Sequence, residues 1–379
     1  MVNVQNFFKF TIISPNTSRN SRGMDTTINE KENNTQQLIN IWLSQSKQHV
    51  LKSEKEIKMI INDWLQMSSI ELGWIDDFDK IITKYVKYFK LVKSFRGHKG
   101  LINNVGFSAD NGKIVSSSDD NTVRIWDVSS GKQLKKFKGH SGWIYIAEFS
   151  PNGNCVASCS KDTTIRLWDV ESGSEVMILK GHLSAVWDVD FSPDGKYIVS
   201  SSSDKTIRLW DVNARKEIKK LEGHLRGINN VQFSPDGQMI VSSSNDMTII
   251  VWDITLGKKL KQFEGHSGPV TRAKFSPNGQ FVVSCSGDKT VRIWNVASGN
   301  QLKVLIGHSD SVRDVKYFPD GQTIVSCSRD HTIRLWDVTS GCQIQNLEGQ
   351  FSWVTGIDVS SDGNTIVSCS FDRTIGIWK

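Results

Sequence analysis

The stretch SSSDKTIRLWDV, Ser201 to Val212, contains three serines and two aspartates, and His224 follows shortly after it. Serine, histidine and aspartate are the side chains of a nucleophilic hydrolase site, where histidine takes the serine proton and aspartate orients the histidine. Such a site is usually built once on a chain, together with donors for the substrate's oxyanion. The question is therefore whether these residues do chemistry or hold a structure together.

Near-copies of this stretch occur seven times, at a step of 42 residues. The aspartate place is filled by Asp120, Asp162, Asp204, Asp246, Asp288, Asp330 and Asp372. The tryptophan place is filled by Trp126, Trp168, Trp210, Trp252, Trp294, Trp336 and Trp378. Six copies begin with Gly-His, as at Gly181-His182, and the seventh has Gly349-Gln350. A fixed period of this length with these signatures indicates a stacked repeat array.

The Gly-His and Trp-Asp motifs resemble those of the WD-repeat family, over about three quarters of the chain. The resemblance implies an all-β fold, a seven-bladed WD-repeat β-propeller whose blades are four-stranded antiparallel sheets. The residues point the same way. Ser192-Pro193-Asp194-Gly195 separates two runs rich in Val, Ile, Phe and Tyr, which predicts a hairpin. Thr206 to Trp210 then alternates with period two, which places Ile207 and Leu209 on one face of a strand.

Counting the repeats predicts how the ring closes. Seven periods starting at Gly97 would end at residue 390, whereas the sequence ends at Lys379, so the last blade lacks its outer strand. KLVKSF, Lys90 to Phe95, resembles KQLKKF, Lys132 to Phe137. We therefore expect residues 86–379 to form the propeller, with residues 86–96 closing the last blade and removing an open edge.

Seven equivalent Ser-His-Asp sets indicate architecture, so we predict no catalytic residues. The family resemblance implies that the loop histidine, a strand serine, the turn aspartate and the tryptophan form a buried hydrogen-bonded relay in each blade. In copy three these residues are His182, Ser200, Asp204 and Trp210. Ser202 is a rival for the serine role, because every copy has serine two residues before the aspartate.

The cysteines do not have the spacing of a metal site or a disulfide framework. Four of them, Cys159, Cys285, Cys327 and Cys369, lie three residues before the repeat aspartate, where the other copies have serine. We interpret them as small strand residues, and we expect no metal, no other cofactor and a reducing compartment, the cytoplasm or the nucleus. No run approaches the ~18 apolar residues of a membrane span, so we expect no membrane association.

The net charge of +6 raises the prospect of nucleic-acid binding. Much of the surplus falls on the outer-strand runs that follow each Trp-Asp, as in Lys132 to Lys138. Lysine on an edge strand guards against edge-to-edge association, and no aromatic-basic binding motif accompanies the charge. We therefore do not expect a nucleic-acid partner.

The first part of the chain has a different composition. Residues 1–37 are rich in Ser, Thr, Asn and charge, and we expect them to be disordered. Residues 38–85 carry apolar residues at helical spacing and a capping box at Ser53 to Glu56, which predicts a short N-terminal α-helical segment. This segment is either a cap packed on itself or on the propeller, or a docking or dimerisation segment.

The resemblance also implies where a partner binds: three and five residues after the loop histidine, and one before the turn aspartate. These positions are uneven between copies, and large or charged side chains form two groups. The first group is Trp143, Tyr145, Lys161 and Trp187, and the second is Arg313, Arg329, Trp353 and Phe371. Trp, Tyr and Arg dominate interface energetics, although single exposed aromatic residues are also ordinary.

These observations predict a non-catalytic scaffold that binds a protein or peptide partner on one face of the propeller. A narrower version is a substrate-recognition subunit of a ubiquitin ligase or a chromatin complex. The rival from another class is an enzyme with an acid-base site at the channel mouth, suggested by Asp188, Asp190 and Asp314 near the start of inner strands.

Overall fold

The computed structural model describes residues 88–379, and within them the regular elements are all β-strands. The strands form seven four-stranded antiparallel sheets. In six sheets the strand order follows the chain. The seventh sheet combines the last three strands of the chain with the first, β1 (Leu91–Arg96). The predicted all-β seven-bladed propeller is confirmed.

The blades are numbered along the chain. Blade one consists of β2 (Ile102–Phe107), β3 (Lys113–Ser118), β4 (Thr122–Asp127) and β5 (Gln133–Lys138). Blade two consists of β6 (Ile144–Phe149), β7 (Cys155–Ser160), β8 (Ile165–Asp169) and β9 (Glu175–Leu179). Blade three consists of β10 (Val186–Phe191), β11 (Tyr197–Ser202), β12 (Thr206–Asp211) and β13 (Lys216–Glu222). Blade four consists of β14 (Ile228–Phe233), β15 (Met239–Ser244), β16 (Ile249–Asp253) and β17 (Lys258–Phe263).

The remaining blades repeat this arrangement. Blade five consists of β18 (Val270–Phe275), β19 (Phe281–Ser286), β20 (Thr290–Asn295) and β21 (Gln301–Ile306). Blade six consists of β22 (Val312–Tyr317), β23 (Thr323–Ser328), β24 (Ile333–Asp337) and β25 (Gln343–Leu347). Blade seven consists of β26 (Val354–Val359), β27 (Ile366–Ser370), β28 (Thr374–Trp378) and β1 (Leu91–Arg96).

The hydrophobic core lies between neighbouring blades. Ile207 and Leu209 of β12 pack with residues of blade four, such as Ile228. Trp210, the next residue along, packs on the other side with residues of blade two, such as Ile165. Successive side chains of a strand point to opposite faces, so one strand serves two interfaces. The predicted alternation is confirmed.

The two ends of the propeller meet in blade seven. β1 pairs with β28 from Leu91 opposite Trp378 to Arg96 opposite Thr374. The innermost strands of neighbouring blades are in contact around the ring, including β26 with β2. Residues 91–96 therefore form the outer strand of the last blade, within the segment that the repeat count assigns to it.

Other predictions concern residues outside the described part of the chain. They are the disorder predicted for residues 1–37 and the helical segment predicted for residues 38–85. Within residues 88–379, no helix is long and apolar enough to cross a membrane.

Removal of β1 should destabilise the ring. A chain that starts at Gly97 leaves β28 without the hydrogen bonds that it makes to β1, and leaves an open edge on blade seven. We expect a lower melting temperature and concentration-dependent association, measured by calorimetry and light scattering. A chain that starts at Tyr88 is the control, and equal melting of the two truncated chains would contradict the role of β1.

Candidate functional site

The Ser-His-Asp set of blade three is a buried hydrogen-bond relay. His182 Nδ1 lies 2.9 Å from Asp204 Oδ2, and His182 Nε2 lies 2.7 Å from Ser200 Oγ. The indole Nε1 of Trp210 donates to the same Ser200 oxygen at 2.8 Å. Because the carboxylate only accepts, Nδ1 carries the histidine proton and Ser200 donates to Nε2. Ser200 is completely buried, so its hydroxyl is satisfied and out of reach of a substrate.

The rival serine has a different task. Ser202 Oγ donates to the carbonyl of Ser184 at 3.1 Å, and accepts the backbone N–H of Asp204 at 3.1 Å. It therefore fixes the turn that carries Asp204 and takes no part in the relay.

The same relay is formed in blades one to six, with the serine, histidine and aspartate at equivalent places. Burial alone would raise the pKa of Asp204, but hydrogen bonds from His182 and Thr206 outweigh it and hold that pKa well below its usual range. In blade seven, Gln350 donates to Thr374 Oγ1 at 3.4 Å, and its own side-chain oxygen is buried without a partner. Blade seven therefore lacks the direct bonds that the histidine of the other blades makes to the strand serine and the turn aspartate.

The cysteines are free, and four of them are buried in second strands. Burial raises the pKa of the Cys285 and Cys369 thiols to about 12, which removes the thiolate needed for metal binding or nucleophilic attack. Within residues 88–379, no group of three or more His, Cys, Asp or Glu side chains is arranged to hold a metal ion.

The aspartates of the predicted acid-base site lie in the channel, where two of them face an arginine. Arg272 lies 3.9 Å from Asp188 and 3.7 Å from Asp314, and both carboxylates are buried. Each carboxylate also accepts a backbone N–H from another blade, from Val231 and Ile357 respectively. These contacts use the two carboxylates to hold blades together.

Asp190 belongs to a second level of charged side chains, two residues further along the inner strands. Burial, and then the negative charge of Asp190, raise the pKa of Glu148 well above the usual range of a glutamate, although Lys274 and Lys316 oppose the shift. Lys316 in turn donates to Asp358 Oδ1 at 2.7 Å. This level holds the carboxyl groups of Glu148, Asp190 and Asp358 and the ammonium groups of Lys274 and Lys316. Its net charge is zero when Glu148 keeps its proton.

In each blade, one of the three positions expected to bind a partner coincides with a β-bulge. Every innermost strand has a register shift one residue after its start, and the extra residue is the fifth after the loop histidine. These seven residues are Asn103, Tyr145, Trp187, Asn229, Thr271, Arg313 and Thr355. A bulge re-aims a side chain out of the pleat. We call these residues, with the loop before each inner strand and the turn after each second strand, the upper rim.

Four of the bulge residues serve the frame. Asn103, Asn229, Thr271 and Thr355 each donate from the side chain to a carbonyl at the start of the next blade's inner strand, at 2.6 to 2.9 Å. Within residues 88–379, Tyr145, Trp187 and Arg313 form no such bond. Large side chains therefore stand where short polar ones would join the blades.

The first predicted group forms two stacked pairs, and we call it the aromatic cluster. The rings of Tyr145 and Trp187 stack at 4.1 Å between centroids, and Trp187 Nε1 donates to Ser203 Oγ at 2.6 Å. The ammonium of Lys161 lies 4.1 Å from the ring centroid of Trp143, which is 45% exposed. These contacts fix the side chains before any partner arrives, which lowers the entropy cost of binding.

The second predicted group, the arginine cluster, is continuous between blades six and seven. The guanidinium of Arg329 lies 4.6 Å from the ring centroid of Trp353, and that ring lies 4.9 Å from the ring of Phe371. Arg313 is close enough to Arg329 for the second charge to lower its pKa, after the larger effect of burial.

The structure adds three residues to this surface that sequence reasoning missed. Leu183 is 85% exposed, Leu225 is 78% exposed and Phe351 is 90% exposed. Each follows the loop histidine, or Gln350 in blade seven, and the backbone N–H of Leu183 and Leu225 donates to the relay aspartate. The signal was available in the sequence, because four of the seven copies have serine or lysine in this place.

Comparison with known families agrees with the geometry. Seven consecutive segments match the family model of the WD domain, G-beta repeat, at residues 89–127, 131–169, 173–211, 215–253, 257–295, 299–337 and 341–379. The chain belongs to the WD-repeat family. The predicted resemblance is confirmed.

Two WD-repeat relatives from Saccharomyces cerevisiae are similar over short stretches. Ribosome assembly protein 4 is 39% identical over 57 residues, 15% of this chain and 11% of that protein. Target of rapamycin complex subunit LST8 is 49% identical over 39 residues, 10% of this chain and 13% of that protein. The matched stretches thus span little more than a tenth of the length of either relative.

The WD-repeat relay should contribute more to stability in blade three than in blade seven. Asp204→Ala strands His182, Thr206 and the N–H of Leu183, and should lower the free energy of unfolding by about 1 to 3 kcal/mol. Asp372→Ala is the matched control, because Asp372 has no histidine partner, and it should cost less. Equal losses in denaturant unfolding would contradict this ranking.

The propeller should also lose stability through Glu148 as the pH rises. The folded state keeps the Glu148 proton above the ordinary pKa of about 4.3, so this contribution is complete below that value and declines up to the raised folded pKa. Glu148→Gln removes the decline, so its melting temperature relative to the native protein should increase between pH 5 and pH 8. Glu171→Gln, at an exposed glutamate, is the control. A difference in melting temperature between Glu148→Gln and the native protein that does not change with pH would refute the effect.

Proposed function

We propose that this propeller is a non-catalytic scaffold that binds a protein or peptide partner on its upper rim. The observation that carries this proposal is the split among the bulge residues. Four of them join neighbouring blades, whereas Tyr145, Trp187 and Arg313 replace that bond with large side chains at the rim. A side chain that contributes no bond between blades has another use, and aromatic and arginine side chains are those that anchor interfaces.

The contacts in the channel favour binding over catalysis. Asp188 and Asp314 are occupied by Arg272 and by backbone N–H groups of other blades. A general base must reach a substrate proton, and these carboxylates point into the protein frame. Asp190 borders a cavity of about 320 Å³ that is also lined by Phe and Pro residues at the ends of the inner strands and in the turns that follow, and by Lys274 and Lys316.

Membership of a larger complex is part of the proposal. The printed names of the two yeast relatives describe an assembly protein and a complex subunit, which supports a role among several proteins. The ubiquitin-ligase and chromatin versions predicted from the sequence are two such complexes, and no contact within residues 88–379 favours either. We also propose a cytoplasmic or nuclear location, which fits six cysteines that are all free.

The aromatic cluster is the place to test this function. Trp143→Ala with Trp187→Ala removes one ring of each stacked pair, and should weaken binding of a partner by about 2 kcal/mol or more per anchor, roughly thirtyfold in affinity. The measurement is capture of partners by the full-length protein from lysate of its own source cells, with quantitative mass spectrometry.

The control for this test removes exposed apolar surface elsewhere. Leu134→Ala with Leu302→Ala changes two half-exposed side chains on outer strands and should keep every partner. The melting temperature of both double variants separates lost binding from lost folding. Retention of all partners by a folded Trp143→Ala, Trp187→Ala variant would place the interaction surface elsewhere.

A further inference from the structure

Blade six places two guanidinium groups side by side on the upper rim. Arg313 is the bulge residue of β22, and Arg329 follows β23, which pairs with β22. The N–H of Arg329 donates to the carbonyl of Ser311 at 3.0 Å, so the two backbones are adjacent. Blade six differs here from every other blade, because no other blade has a cation at both places.

These two charges have no counter-ion in the part of the chain that the structure describes. Neither guanidinium forms an ion pair or a hydrogen bond with residues 88–379, and the Nε of Arg329 is buried without a partner. The charged groups that act most strongly on Arg313 include Arg329 and Arg272, which lower its pKa after burial has done so. The buried carboxylates of Asp188 and Asp314 face Arg272, and that of Asp330, the residue after Arg329, pairs with His308.

An apolar wall stands beside the two charges. Trp353 and Phe371 are 36% and 38% exposed, and their rings are in contact. The guanidinium of Arg329 stacks on Trp353, which fixes the direction of its N–H groups. The cluster thus presents oriented donors, two positive charges and an aromatic surface in one place.

We propose that the arginine cluster binds an acidic segment of a protein partner, with two side-chain carboxylates on Arg313 and Arg329 and apolar atoms against Trp353 and Phe371. This inference rests on the proposed function, since it states the partner chemistry for the same rim. Guanidinium and carboxylate groups form paired, charge-assisted hydrogen bonds. Two carboxylates balance both charges, whereas one would leave an uncompensated cation.

A nucleic acid fits this cluster less well. Binding to nucleic acid depends on a track of cations that follows many phosphates. The equivalent rim positions in the two neighbouring blades carry Thr271 and Gly287 on one side, and Thr355 and Phe371 on the other. At these two positions, therefore, blade six carries positive charge and its two neighbours carry none.

The test measures binding of a fluorescein-labelled hexaglutamate peptide to the full-length protein by fluorescence anisotropy. Arg313→Gln with Arg329→Gln should weaken binding by about tenfold or more, because the charge-assisted bonds are lost. Lys216→Gln with Lys258→Gln removes two exposed cations from outer strands, and should change the affinity by less than about twofold. A hexaglutamine peptide should not bind.

Several results would overturn the proposal. One is equal weakening by Lys216→Gln with Lys258→Gln and by Arg313→Gln with Arg329→Gln, which would mean that the peptide is attracted to the overall charge of the protein. Another is tighter arginine-dependent binding of a phosphoserine peptide or of single-stranded oligothymidine, which would assign the cluster to phosphate. If the glutamine variant melts early, Arg313→Lys with Arg329→Lys keeps the charge, and it should still weaken binding through loss of the paired geometry. Unchanged affinity of the Arg313→Lys, Arg329→Lys variant for hexaglutamate would then count against the proposal.

The outcome separates this inference from the proposed function. If the arginine variants bind hexaglutamate like the native protein while Trp143→Ala with Trp187→Ala loses its partners, the acidic-segment inference fails and the scaffold function stands. If the arginine pair is required for hexaglutamate but the tryptophan variant keeps every partner, the aromatic anchor fails and the arginine cluster stands.

Discussion

The hydroxyl of one buried serine in each blade is the interaction on which the structure depends. In blade three, Ser200 receives the indole N–H of Trp210 and faces Nε2 of His182, so it ties the second strand, the third strand and the entering loop together. Leaving such a buried group unpaired would cost about 1 to 3 kcal/mol. The bond from tryptophan to serine joins the second and third strands in all seven blades. In blades one to six the histidine also ties the entering loop to the same serine. Rim residues can then vary without disturbing the frame.

The β-bulge turns this uniform frame into a differentiated surface. One register shift in each inner strand re-aims one residue, and a short polar residue there, such as Asn229 or Thr271, joins two blades. Tyr145, Trp187 and Arg313 give up that bond, which costs about 1 kcal/mol each on the usual scale of a hydrogen bond. Stacking of Tyr145 on Trp187 offsets part of the cost, yet it also keeps both rings at the surface. Stability alone does not explain these three choices, whereas the binding role that we propose for the rim does.

Repeat spacing predicted the features that every copy shares. The 42-residue period and the family resemblance predict the number of blades, the members of the relay and an outer strand within residues 86–96. The choice between Ser200 and Ser202 did not follow, because both positions hold serine in every copy and only the strand pairing separates them. The bulges were equally hidden, since an extra residue present in all seven copies leaves the period unchanged. The raised pKa of Glu148 depends on its burial and on the charges of Asp190, Lys274 and Lys316 from three other blades, and no local pattern reports interactions of that range.

Charge in the channel and charge on the rim differ in how they are balanced. Below the rim, Arg272 faces two carboxylates, and the level of Glu148 is neutral while that residue keeps its proton. The lysines of the outer strands lie in solvent, where salt screens charges separated by more than about 8 Å. Arg313 and Arg329 are partly buried, so water and salt compensate them less than those lysines. For the recognition that we propose, the charge that matters is therefore the local pair on blade six, where two uncompensated cations adjoin exposed aromatic surface. The overall charge of +6 is a poor guide to such a partner.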